Sequence, residues 1–147
     1  MDSEQKKVLE KLETQCSKRE YCVSDVRQKA FKALDGDFKR AEEVVESLIR
    51  DGFVDDVRYA SAFAREKSAL TGWGPVKIRY SLRSKNISPE AISAALDETD
   101  PEKSAEKLRK LMESKRKSLE GDPQIRLKLI KYALSRGYEY EDIQEYL

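Results

Sequence analysis

The sequence predicts an all-α protein: three tandem three-helix repeats forming an elongated, curved array. Three observations predict it. Four prolines each follow a residue suited to the start of a helix, at Gly74-Pro75, Ser88-Pro89, Asp100-Pro101 and Asp122-Pro123. Apolar residues recur three and four positions apart, and no stretch beyond a few residues alternates as a strand. The apolar pattern also returns after a shift of 48 residues.

Proline is favoured at the first helical position, where its missing N–H has no partner, and a preceding Ser or Asp can accept bonds from the free N–H groups. Helices are therefore expected from about 75, 89, 101 and 123. Starts without proline are expected near Ser3, Ser24, Asp37 and Asp56, with a last near Glu139, giving nine helices. Their inner faces read Val8, Leu12 and Cys16; then Ala41, Val44, Val45, Leu48 and Ile49; then Ala91, Ile92, Ala95 and Leu96. Ala105, Leu108 and Met112 follow, and last Ile125, Leu129, Ile130 and Ala133. Gly36, Gly52, Gly72, Gly121 and Gly137 fall between the helical runs, where a residue with positive φ ends a helix.

The repeat maps Leu12 and Cys16 onto Ala60 and Ala64, then onto Leu108 and Met112. Ala30 and Leu34 map onto Ile78 and Leu82 and, after 51 residues more, onto Leu129 and Ala133. Val44 and Leu48 map onto Ile92 and Leu96, then onto Ile143 and Leu147. The expected units are residues 1–53, 54–99 and 100–147. A unit of three short helices buries little alone, so neighbours dock into a row, and a row offers a long surface to a large or filamentous partner.

Composition narrows the function. The chain has 147 residues, with 29 Lys and Arg against 28 Asp and Glu, a net charge of +1 and no His. Charged residues make up 39% of it, against about 25% in an average domain, which implies much solvated helix surface. Without His, the commonest general base and the usual transition-metal ligand are missing. Cys16 and Cys22 have no second pair to complete a zinc site. No GxxxxGK[ST], GxGxxG or GxSxG occurs. We expect no enzyme activity, no cofactor and no metal. Two cysteines are no disulfide framework, apolar runs are too short to span a bilayer, and the amino terminus is polar. The expectation is a cytoplasmic monomer without membrane contact.

Charge is unevenly laid out. Residues 54–85 hold seven bases, Arg58, Arg65, Lys67, Lys77, Arg79, Arg83 and Lys85, against Asp55, Asp56 and Glu66, a local charge of +4. Residues 86–102 hold five acids and no base, and residues 103–117 hold seven bases and two acids. On the helix from Pro75, Ile78 and Leu82 face inward, while Arg79 and Arg83 lie one turn apart on another face. Such guanidiniums can grip phosphates or carboxylates, or simply be solvated. Trp73, in Gly72-Trp73-Gly74-Pro75, reads as a stacking platform or, more simply, as an apolar plug between two helices. Asp55-Asp56 reads as a helix cap, and Tyr59 with Phe63, one turn apart, as core.

These residues also carry a resemblance. The run Asp51-Gly52-Phe53-Val54-Asp55-Asp56-Val57-Arg58-Tyr59-Ala60 with Phe63 resembles a signature of the bacterial RecX regulatory proteins, and Trp73-Gly74-Pro75-Val76-Lys77-Ile78-Arg79, continuing through Leu82, Lys85 and Ile87, resembles a second. Arg19-Glu20-Tyr21 with Ser24 and Ser135-Arg136-Gly137-Tyr138 resemble segments of the first and third modules of that family. Asn86 stands where that family usually has glycine, and Ser81 where an acid is frequent; Asn tolerates left-handed geometry, so the turn can survive. The resemblance implies three three-helix modules and a modulator of the RecA recombinase, which binds the RecA–single-stranded DNA filament and mostly inhibits its ATPase, strand-exchange and co-protease activities. Single-stranded DNA would then be met weakly or through the filament. A direct DNA-binding module of helix-turn-helix type, using helices 75–85 and 89–97, is the alternative.

Overall fold

The computed structural model describes residues 1–147. Nine α-helices follow one another: α1 (Ser3–Lys18), α2 (Val23–Ala33), α3 (Phe38–Arg50), α4 (Asp56–Glu66), α5 (Pro75–Ser84), α6 (Pro89–Asp97), α7 (Pro101–Ser118), α8 (Ile125–Ser135) and α9 (Tyr140–Gln144). There is no strand, and no helix is long and apolar enough to cross a membrane.

Local chemistry sets most helix starts. Ser88 accepts the Ala91 N–H ahead of α6, Asp100 accepts the Glu102 N–H ahead of α7, and both helices carry Pro in their first turn. Asp37 caps α3 through the Arg40 N–H. Helix α2 begins at Val23, beside the expected Ser24, with Cys22 as its flanking residue. One start differs from expectation. Helix α8 begins at Ile125 rather than Pro123, because the Ile125 N–H donates to the Asp122 carbonyl three residues back, a tight turn, and the next bond of the helical kind runs from Lys128 to the Gln124 carbonyl. An unexpected π-helical turn, Lys67–Thr71, extends α4 and ends at Gly72 in left-handed geometry. Asn86 holds the turn after α5 with φ of 60°.

Three separate cores bear out the repeat. The first joins Leu12, Cys16, Val26, Ala30, Leu34, Val44 and Leu48 from α1–α3. The second joins Ala60, Ala64, Ile78, Leu82, Ile92 and Ala95 from α4–α6, and the third Leu108, Met112, Leu129, Ala133 and Ile143 from α7–α9. The first two cores interlock: Cys22 of the first unit is buried in the second core, and Val54, at the start of the second unit, in the first. A row of small cores leaves much surface in water. The accessible area is 9,329 Å², against about 7,700 Å² for a compact protein of this mass.

Candidate partner-binding surface

The seven basic residues singled out between 54 and 85 do not form one patch. Arg65, Arg79 and Arg83 make neither an ion pair nor a hydrogen bond within the chain. Arg79 and Arg83 share the outer side of α5, where Tyr80 between them is 75% exposed and Val76 is also exposed. Inward-facing Ile78 and Leu82 anchor the same helix in the second core, so its opposite side is necessarily turned outward. Arg65 lies elsewhere, in a polar cleft that it lines with Lys103 and Lys107.

The other four bases are engaged internally. Lys67 lies 4.9 Å and Lys77 4.5 Å from the centre of the Trp73 ring, and Lys77 Nζ also reaches the Ser135 carbonyl at 3.5 Å. Trp73 itself is half-buried and meets Phe63 edge-on at 6.1 Å, while Phe63 stacks on Tyr59 at 5.9 Å. The aromatic trio lies against the second core, and the chain's own cations sit over Trp73.

Arg58 and Lys85 tie the second module to the first. Arg58 Nε pairs with Glu20 at 2.8 Å, and Lys85 Nζ pairs with Asp25 at 2.7 Å. The Asp25 bond holds the Lys85 ammonium charged to higher pH than usual. Burial pushes Asp25 up, but the Lys85 ammonium and bonds from Cys22 outweigh it and leave its carboxyl below the usual range. Asp55 caps α4 by accepting the Val57 and Arg58 N–H groups. Its neighbour Asp56 reaches across instead, accepting the Val23 N–H at 2.8 Å and so capping α2 of the preceding module. Ser24 Oγ donates to the Lys85 carbonyl at 2.8 Å. Cys16 and Cys22 are buried free thiols, and burial pushes both above the ordinary thiol range, which suppresses the reactive thiolate.

Gly74 and Pro75 form the second joint. The Gly74 N–H donates to the Arg136 carbonyl at 2.7 Å and the Val76 N–H to the Gly137 carbonyl at 2.9 Å. Tyr138, buried, donates its hydroxyl to the Gly72 carbonyl at 3.0 Å, and the Arg136 guanidinium donates to the Thr71 carbonyl. Sequence reasoning located every one of these segments through the resemblance, yet could not see that they meet. Tyr80 was passed over altogether; its polar neighbours on α5 were the available signal.

Residues 55–96 match the family model described as RecX, second three-helix domain, and residues 102–147 that of the RecX third three-helix domain. The chain is 35% identical over 115 residues to "Regulatory protein RecX" of Clostridium tetani, covering 76% of this chain and 52% of the relative. It is 35% identical over 104 residues to the protein of that name from Bacillus mycoides, covering 69% and 38%. It thus spans about half the length of the first relative and less of the second. In fold it is similar to a crystal structure of "regulatory protein RecX", with a TM-score of 0.87 at 24% identity over 97% of this chain and 71% of that one. The crystal structure of RecX from Lactobacillus salivarius gives 0.83 at 22% identity over 99% and 96%.

Proposed function

The chain belongs to the RecX family of regulatory proteins, and we propose that it is a non-enzymatic binder of the RecA–single-stranded DNA filament that restrains the filament's ATPase, strand-exchange and co-protease activities in the cytoplasm. The observation that carries the reading is the outer side of α5. Two guanidiniums without internal partners flank an exposed tyrosine, on a row of modules long enough to lie along a polymer. Arg and Tyr in that setting suit an acidic protein surface or phosphates.

A direct duplex-reading role is less well supported. The helix that would partner α5 in a helix-turn-helix, α6, exposes Glu90 and Asp97 and carries no base, so it would face the phosphate backbone with like charge.

The test is the ATPase rate of RecA on single-stranded DNA with and without the purified chain. The wild type is expected to lower it. Arg79→Glu with Arg83→Glu is expected to weaken that effect at least tenfold with helicity and melting unchanged. Inhibition at full strength by the double variant would remove α5 from the contact, and tight binding to labelled duplex without RecA would favour the DNA reading.

A further inference from the structure

We infer that α5 is a strut clamped at both ends by its neighbours, so that the first and third modules are positioning elements for the outward residues Val76, Arg79, Tyr80 and Arg83. The importance of that position rests on the binding role proposed above; the clamp itself does not.

A helix begins with N–H groups that lack intrahelical partners, and a side chain at the preceding position usually accepts one. Gly74, at that position before α5, has no side chain to do so. The turn between α8 and α9 does it instead, with the Gly137 carbonyl accepting from Val76 and the Arg136 carbonyl accepting from Gly74. Two glycines permit the approach. A Cβ on Gly74 would lie 2.3 Å from the Gly137 oxygen, and one on Gly137 would lie 2.3 Å from Lys77 Cβ and 2.8 Å from the Lys77 nitrogen. Gly74 has φ −82° and ψ 170°, which any residue adopts, so closeness rather than backbone geometry requires glycine there.

The other end is held from the opposite side. The carbonyl of Lys85, at the end of α5, accepts the Ser24 hydroxyl, and its ammonium pairs with Asp25. Ten helical residues rise about 15 Å, so α5 starts on one neighbour and finishes on the other with its outward middle unsupported. A binding face fixed before encounter loses less freedom on association, so both flanking modules contribute to affinity by holding α5 in place.

The experiment uses the full chain and measures amide hydrogen exchange by NMR without any partner, then capture on RecA–single-stranded DNA filaments. Gly74→Ala and, from the far side, Gly137→Ala are expected to speed exchange of the Val76 amide at least tenfold and to weaken capture at least fivefold. Gly121→Ala is the control: it carries similar backbone strain at φ +83° within the third module but meets nothing within 4 Å, and it should leave Val76 unchanged. Ser24→Ala disturbs neither glycine and is expected to speed exchange at Lys85 and Asn86 severalfold. Wild-type exchange at Val76 in both glycine variants, or at Lys85 and Asn86 in Ser24→Ala, overturns the strut. Faster exchange with undiminished capture upholds the strut and overturns the placement of the contact on α5.

Discussion

The two joints of this molecule join similar modules by different chemistry. Between the first and second modules the links involve side chains: Arg58 to Glu20, Lys85 to Asp25, Asp56 to the Val23 N–H and Ser24 to the Lys85 carbonyl. Between the second and third, two backbone–backbone bonds pass through a gap that only glycine fits, and a buried tyrosine closes it. Arg136, Lys77 and Lys107 add bonds to the Thr71, Ser135 and Ala69 carbonyls. The difference teaches how each joint fails. The ion pairs of the first joint can be lost one at a time and feel salt and pH, whereas the backbone bonds of the second are indifferent to both but leave no tolerance for added atoms.

Removing the plug of the backbone joint should have the largest effect. Tyr138 is 3% exposed and sits in the third core while its hydroxyl bonds to Gly72. Tyr138→Ala is expected to destabilise the chain by about 3–5 kcal/mol, the usual range for a deleted buried aromatic. Tyr138→Phe keeps the ring and orphans the Gly72 carbonyl, at about 1 kcal/mol. Chemical denaturation measures both, and equal losses would mean that the hydroxyl rather than the packing holds the joint.

The ionic joint predicts a smaller, pH-dependent effect. Asp25 has a folded value below its ordinary 3.8, so its contribution is present above that value and lost as pH falls through the folded one. Lys85 has a folded value above its ordinary 10.5, so its contribution is present below 10.5 and lost as pH rises through the folded one. The joint is therefore at full strength across neutral pH and weakens at both extremes. Asp25→Asn is expected to cost about 1 kcal/mol at pH 7, discounted for the partly exposed ammonium, and progressively less as pH falls below 3.8. A loss that is the same at pH 7 and pH 3 would show that shape, not charge, matters at this position.

What could be read beforehand follows the range of each interaction. Helix starts at Pro89 and Pro101 were legible because cap and proline are neighbours in the chain. Most of the three cores was legible because inward positions recur at helical spacing, though Ile49 and Ala105, at the edges of those stripes, are exposed. Pro123 misled because the Asp122 carboxylate caps as Asp100 does, while the backbone behind it closes a tight turn from the Ile125 N–H to the Asp122 carbonyl before the helix begins. The partners of Arg58 and Lys85 were hidden. Glu20 and Asp25 lie 38 and 60 residues away, and any of the chain's 28 acids was an equal candidate. Thus the seven bases looked alike in sequence, and only folding divides them into Arg58 and Lys85 at the first joint, Lys67 and Lys77 over Trp73, Arg65 apart in its cleft, and the unpaired Arg79 and Arg83 together on α5. The resemblance marked Glu20, Ser24, Gly74 and Gly137 without saying why; their shared role is that modules meet there.

The smallest effect expected separates the joints most cleanly. Arg58 and Glu20 have side chains 45% and 35% exposed, so their attraction is screened by water and salt. Arg58 also donates to the Gly52 and Phe53 carbonyls at 3.2 and 3.3 Å, which holds the guanidinium in place and limits the entropy lost in pairing. A double-mutant cycle with Arg58→Ala and Glu20→Ala is expected to give a coupling of about 0.5 kcal/mol at low salt, falling towards zero in 1 M salt. The same salt should leave the exchange rate of the Val76 amide unchanged, because the bonds made by Gly74 and Val76 run between uncharged backbone groups. Loss of protection at Val76 in step with the Arg58–Glu20 coupling would show that the joints are one cooperative unit, and the contrast between them would then lie in their chemistry but not in their behaviour.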